Sequence, residues 1–248
     1  MKVLILAAGY GTRLHAIAKD SPKPLLKIGD KPIVDHILDR LKVLEGLSEI
    51  LLVTNDKFYA NFVKWTDQKK TFPVPIKIVS DGTKSNEERL GSIGDIDFVL
   101  KKEKIQEELL IVGGDNLFDF NLKDYLHFAR QHASSATIGL YDTGDLIGAK
   151  QFGVVEIDQA GLIKSFEEKP AQPKSTLVAM CFYYLPQKSL GLLSKYLLES
   201  KAADRAGDYI KWLSKNEKVY GFKFSGKWYD IGSIESYQQA QLSFGSST

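Results

Sequence analysis

Cysteine is almost missing from this chain. Cys181 stands alone among 248 residues, which excludes an internal disulfide framework and a zinc site built from cysteines. A single thiol also fits a reducing cytosol. Histidine is sparse: His15, His36, His127 and His132 are scattered along the sequence, so a histidine metal cluster is not expected. No charge of one sign dominates. Lys and Arg number 33 against 31 Asp and Glu, a net +2 at pH 7. A dedicated nucleic-acid binder carries a strongly basic face, so no nucleic-acid partner is expected. No run approaches the roughly 20 apolar residues that span a bilayer, and no membrane partner is expected either. The start does not read as a signal peptide, because Gly-Tyr-Gly-Thr-Arg interrupts the short apolar stretch after Lys2. The expected location is cytoplasmic.

What is present has the composition of an ordinary globular protein, 44% hydrophobic and 26% charged. The length suits one large α/β domain or two small ones. Apolar runs predict strands over Lys2–Ala8, Glu49–Thr54, Ile76–Val79, Leu109–Val112 and Ala136–Tyr141. Helical spacing predicts helices over Lys31–Glu45, Phe58–Trp65, Ser92–Lys104 and Leu122–His132. In the first of these, Ile33, Val34, Ile37, Leu38, Leu41 and Leu44 form one stripe. Strands alternating with helices predict a Rossmann-like α/β fold, its sheet mainly parallel with helices on both faces. After about residue 150 the texture changes. Phe152–Ile157 and Leu162–Glu167 flank Asp-Gln-Ala-Gly, a hairpin signal. A strand over Leu177–Leu185, helices over Lys188–Glu199 and Tyr209–Lys215, a strand over Val219–Phe224 and a helix over Ser233–Gln241 complete the pattern. The expectation is one continuous fold over residues 1–243, with lobes 1–150 and 151–243, the second smaller and antiparallel, and a disordered tail over 244–248.

The stretch KVLILAAGYGTRL raises a specific question, because Gly9 and Gly11 follow the first strand directly. Two glycines can serve only a tight turn. They can also bring backbone N–H groups close to a phosphate, with a following helix N-terminus adding a favourable dipole. A dinucleotide fingerprint would need a third glycine where Leu14 stands, and a Walker loop would need Gly-Lys-Ser/Thr where the chain has Gly-Thr-Arg. Ten residues past Arg13, Lys23 is held between Pro22 and Pro24, which stiffen its backbone. Two cations on rigid loops beside a glycine turn suit a polyphosphate. Asp115, just past a strand end, is a hard oxygen ligand suited to Mg²⁺, although a turn aspartate is the plainer reading.

LAAGYGTRL followed by PKPLLKIGDKPI resembles the sugar-1-phosphate nucleotidyltransferases, in particular the glucose-1-phosphate thymidylyltransferase and uridylyltransferase group. GGDNLF, FGVVEID, FEEKP and KWYDIGS resemble that group's later motifs in the same order, over nearly the whole chain. The resemblance implies the nucleotide-diphospho-sugar transferase fold. It also implies a reaction in which dTTP or UTP and a sugar-1-phosphate, glucose-1-phosphate first among them, give an NDP-sugar and pyrophosphate. Arg13 and Lys23 would be catalytic. Leu6, Ala7, Ala8, Gly9, Gly11, Thr12 and Arg13 would line the nucleotide, with Asp81, Asn86 and Gly91 at its base. Gly153, Glu168 and Lys169 would take the sugar, and Asp115 and Asp230 would hold Mg²⁺. Trp228, beside Asp230, is a candidate wall of the sugar pocket. The base loop departs from the familiar pattern, as does Ala179-Met180-Cys181, which either repacks the core or changes the sugar preference. Two further readings stay open: a non-catalytic nucleotide-sugar sensor of the same fold, and a cytidylyltransferase acting on a phosphorylated alcohol. The sequence lacks the longer C-terminal helical extension of many relatives, so a monomer or dimer is expected.

Overall fold

Three uninterrupted apolar runs build the first ladder. In a computed structural model, which describes residues 1–18, 21–200 and 206–244, they form the strands Lys2–Leu6, Glu49–Thr54 and Ile76–Ser80. The pairing is parallel, with Leu4 opposite Leu51 and Leu52 opposite Ile78. Val3 to Ile5 and Ile50 to Val53 are fully buried, as strands covered on both faces must be. The fold is mixed α/β, with a mainly parallel central sheet, helices around it and small antiparallel sheets. Among the described residues no helix is long and apolar enough to cross a membrane.

By compactness the chain forms two units, each drawn from separate stretches. The first comprises residues 1–90, 112–122 and 226 onward; the second comprises 91–111 and 123–225. In the first, the helix Ile33–Leu41 turns its predicted stripe inward, and Ile33, Val34, Ile37, Leu38 and Leu41 are buried. It starts later than the expected Lys31 because Lys31–Pro32 pairs instead with Lys27–Ile28 in a two-residue ribbon. A second short ribbon, invisible to periodicity, pairs Asn116–Phe118 with Trp228–Asp230 in antiparallel register. Phe244, expected in a disordered tail, closes the helix Ile234–Phe244; the rest of that expectation, 245–248, lies outside the described residues.

The second unit carries the antiparallel texture. Gly153–Ile157 and Ile163–Glu168 form the expected hairpin. Asp158 Oδ1 closes its turn by accepting from the N–H groups of Ala160 and Leu162, and Gly161 supplies the positive φ. Leu177–Leu185 runs antiparallel to Ala136–Asp142, and Val219–Lys223 runs parallel to it. The core of this unit centres on Tyr125, whose ring packs against Phe182, Phe222 and Phe224. Its hydroxyl donates to the Thr137 carbonyl at 2.8 Å, so the buried polar tip is satisfied.

Candidate functional site

The C-terminal ends of the first unit's parallel strands are where an open α/β sheet binds ligands, and the glycine loop leaves the first of them. Gly11 takes φ +64°, a conformation side chains rarely adopt. Gly9 is different: its φ is not positive, and a Cβ there would meet nothing of the protein within 4 Å. The loop's other end is tied down by Asn55, whose amide donates to the Ala8 carbonyl at 2.9 Å and accepts from Phe58 N–H. Asn55 is fully buried and was not anticipated; its signal is a polar residue directly after an apolar strand. The helix expected after the loop is only the 3₁₀ turn Thr12–Leu14 and the four-residue helix His15–Ala18. So short a helix adds little dipole, and any anion binding here rests on individual N–H groups and side chains.

The Gly113-Gly114-Asp115 turn comes up against both of the earlier motifs. Gly114 donates its N–H to the Leu6 carbonyl at 2.8 Å. A Cβ at Gly114 would lie 2.7 Å from that oxygen and 3.0 Å from Pro24 Cγ, so only glycine permits this approach. It places Asp115 beside Lys23. The Lys23 ammonium donates to Asp115 Oδ2 at 2.8 Å, and Asn116 Nδ2 donates to Oδ1 at 3.0 Å. Burial disfavours both charges. On Lys23 the Asp115 carboxylate overrides burial and raises the pKa; on Asp115 the Lys23 ammonium overrides it and lowers the pKa. Both groups are therefore charged at neutral pH.

The ribbon delivers the second aspartate. Asp230 pairs opposite Asn116, and Ile231 donates its N–H to the Asp115 carbonyl at 3.0 Å. Trp228, expected as a pocket wall, is buried in this ribbon and donates from Nε1 to Asn116 Oδ1 at 2.8 Å. It thereby orients the amide that holds Asp115. Arg13 completes the group. A Cβ built on Gly232 would lie 3.8–3.9 Å from the two terminal Arg13 nitrogens and 3.9 Å from Asp230 Oδ1. The guanidinium and that carboxylate thus flank one point, and the fields of both reach Lys23. Arg13, Lys23, Asp115 and Asp230 are gathered by three turns and the ribbon of one unit.

Asp81 follows the third parallel strand and is buried. Its Oδ1 accepts from Thr83 N–H at 2.7 Å and from Thr83 Oγ1 at 2.8 Å. Tyr10, between the two loop glycines, donates its hydroxyl to Thr83 Oγ1 at 3.1 Å. The other carboxylate oxygen, Oδ2, is buried with no partner, an expensive arrangement unless it serves a purpose. Asn86 lies in the same unit, half-buried, its carbonyl accepting from Arg89. Gly91 belongs to the other unit, where it opens the helix Gly91–Lys102 at φ +76°.

Gly153, Glu168 and Lys169 all lie in the second unit, on the hairpin. Gly153 pairs opposite Glu168, and a Cβ there would fall 2.3 Å from Phe166 Cζ and 3.1 Å from Glu168 Oε2. Lys169 takes φ +46°, its N–H bonded to the Phe152 carbonyl. A left-handed lysine before Pro170 is uncommon, and such conformations concentrate at functional sites. Of the two unusual residues on the next strand, Met180 is fully buried in the core. Cys181 is half-buried and hydrogen-bonded to Tyr183. Burial pushes the Tyr183 hydroxyl well up, and the neighbouring Cys181 and Glu168 add to it. Tyr183 is a further polar group near Glu168 that its apolar strand context concealed.

Comparison with known proteins gives the family and the fold. The nucleotidyl transferase family model matches residues 2–246. The bifunctional protein GlmU of Methanocaldococcus jannaschii is 30% identical over 94% of this chain. A glucose-1-phosphate adenylyltransferase of Fusobacterium nucleatum is 30% identical over 96% of it. The chain spans 51% of the first relative's length and 65% of the second's. Among solved structures, one assigned as a glucose-1-phosphate thymidylyltransferase of Bacillus anthracis, with sucrose bound, superposes with a TM-score of 0.85 at 24% identity, covering all of this chain and 96% of that one. A UDP-glucose pyrophosphorylase complexed with UDP-glucose gives 0.79 at 23%, covering 98% and 97%. These two establish the fold.

Proposed function

The chain belongs to the nucleotidyl transferase family, and we propose that it transfers a nucleotidyl group from dTTP or UTP to a sugar-1-phosphate, glucose-1-phosphate first among candidates, releasing pyrophosphate. The observation that carries this reading is the Lys23–Asp115 pair with Arg13 and Asp230 beside it. In such a reaction an oxygen of the sugar phosphate attacks the α-phosphorus in line and no protein nucleophile is needed. Catalysis is positioning and charge neutralisation. Arg13, exposed beside the loop, takes the charge that develops on the departing pyrophosphate; its planar fork suits phosphate oxygens. Lys23, held protonated by Asp115, meets the phosphates at the reacting centre. Bare backbone at Gly9 and Gly11 lets N–H groups reach the polyphosphate, which accounts for a glycine that the protein's own packing does not demand.

The donor set also fits a divalent cation. Asp115 and Asp230 are hard carboxylates, and no cluster of three or more acidic, histidine or cysteine ligands exists among the described residues. A metal held here would complete its shell from phosphate oxygens and water, the usual habit of Mg²⁺. When bound, Mg²⁺ supplies charge neutralisation at the α-phosphate.

Asp81 supports the choice of base. Oδ1 is taken by Thr83, which leaves one buried acceptor. Uracil and thymine present one imide N–H on their pairing edge, a single donor for that acceptor. Gly153, Glu168 and Lys169 are assigned to the sugar and its phosphate. The test is pyrophosphate release with Mg²⁺ and α-D-glucose-1-phosphate, with dTTP, UTP, CTP, GTP and ATP in parallel. Turnover with dTTP or UTP is expected. Turnover with ATP alone, the nucleotide named for the Fusobacterium relative, would overturn the assignment of Asp81.

A further inference from the structure

Glycine at position 207 has no local reason. It is the second residue of the helix Ala206–Asn216 and has no positive φ, so alanine would suit the backbone there. The helix Leu190–Glu199 offers a matched case. Its second residue is Gly191, where a Cβ would meet nothing within 4 Å. At Gly207 the space is taken. A Cβ would lie 2.0 Å from Glu168 Oε2 and 2.7 Å from Glu168 Cδ. The carboxylate also lies 3.1 Å from the Cβ position of Gly153. Two missing side chains, one on a strand and one on a helix, thus bound the place where the Glu168 carboxylate rests. The obstructing atoms are the tip of a flexible side chain. A methyl at 207 would therefore displace the carboxylate and leave the fold standing.

We infer that Gly207 is a positioning residue that sets the Glu168 carboxylate for sugar recognition. The inference rests on the assignment of Glu168 to the sugar. A carboxylate moved by about 1 Å no longer meets hydroxyls that require it, a misplacement that costs roughly 10-fold to 10²-fold.

The experiment compares four variants, Gly207→Ala, Gly191→Ala, Glu168→Ala and Gly207→Ala with Glu168→Ala, by KM for α-D-glucose-1-phosphate, KM for the nucleotide, kcat and thermal midpoint. Gly207→Ala is expected to raise the sugar-phosphate KM by roughly tenfold or more. The nucleotide KM and the midpoint should stay near wild type, and Gly191→Ala should change neither KM. In the Glu168→Ala background the second substitution should add nothing, because both act through one carboxylate. Additive penalties, or a fall in the midpoint that tracks the loss, would make Gly207 merely structural and overturn the inference. If Glu168→Ala raises the sugar-phosphate KM and Gly207→Ala does not, the inference falls while the sugar reading stands. If a crystal structure of Gly207→Ala shows the carboxylate displaced and neither variant moves the sugar-phosphate KM, the assignment of Glu168 fails and the inference fails with it.

Discussion

The two units build the sites proposed for them by opposite means. The first gathers charge: two cations and two carboxylates, each on a loop stiffened by prolines, glycines or a ribbon. The second removes atoms: Gly153 and Gly207 clear the space around one carboxylate, and Lys169 bends through a left-handed turn. Polyphosphate is recognised mostly by charge, which falls off slowly with distance. A hexose is neutral, and only shape and directed hydrogen bonds can hold it. The difference teaches where each unit is fragile. The first fails when a charge is lost; the second fails when a methyl is gained.

The sharpest break of that contrast is Asp115→Asn. It keeps the shape of the turn and deletes the charge that holds Lys23. Turnover should fall by at least about 10²-fold and should no longer saturate with Mg²⁺ in a pyrophosphate-release titration. Near-full activity would end the assignment of Asp115. Arg13→Ala should lower kcat by about 10²–10³-fold while the sugar-phosphate KM moves little, because the guanidinium acts on the leaving group. A change confined to KM would place Arg13 in ground-state binding.

Gly114→Ala asks whether the first unit too depends on a missing atom. The obstacle there is the Leu6 backbone oxygen, which cannot swing aside. A loss of about 1–3 kcal/mol in denaturant unfolding is expected, with activity falling as Lys23 and Asp115 part. Asp81→Asn should narrow the preference for dTTP or UTP over CTP by about tenfold in kcat/KM, the worth of one hydrogen bond to a charged group. The smallest effect belongs to a charge in the shape-built unit. Asp142 accepts from Lys223 Nζ, Thr176 Oγ1 and Gly144 N–H, which hold its pKa down at about 2 against the ordinary 3.8. Its contribution is complete above the ordinary value and disappears as pH falls through about 2. An acid unfolding curve of Asp142→Asn should therefore lie slightly below wild type at neutral pH and be flatter below about pH 4, the two drawing together as pH falls through about 2.

The sequence exposed the charge-built unit better than the other. Arg13, Lys23, Asp115 and Asp230 stood in motifs whose family resemblance singled them out, and the fold brings the four together in one unit; the apolar runs placed the parallel strands to within a residue or two. Asn55 escaped, because a polar residue after a strand has many uses. The ribbon of Asn116–Phe118 and Trp228–Asp230 escaped because three residues show no period, and its two halves lie more than a hundred positions apart. The two glycines beside Glu168 were unequally legible. Gly153 sits in a motif, whereas Gly207 sits in an unremarkable helix and gains meaning only from atoms folded against it. Absence of a side chain is silent in a sequence until the neighbour is known.

That same ribbon has a consequence for how the protein is made. The first unit is assembled from residues 1–90, 112–122 and 226 onward, so a ribosome must deliver the last stretch before Asp230 can take its place beside Asn116. Until then the earlier loops exist without their closing strand. A chain cut anywhere before Trp228 lacks one strand of the ribbon, and with it both Asp230 and the Ile231 N–H that the Asp115 carbonyl accepts.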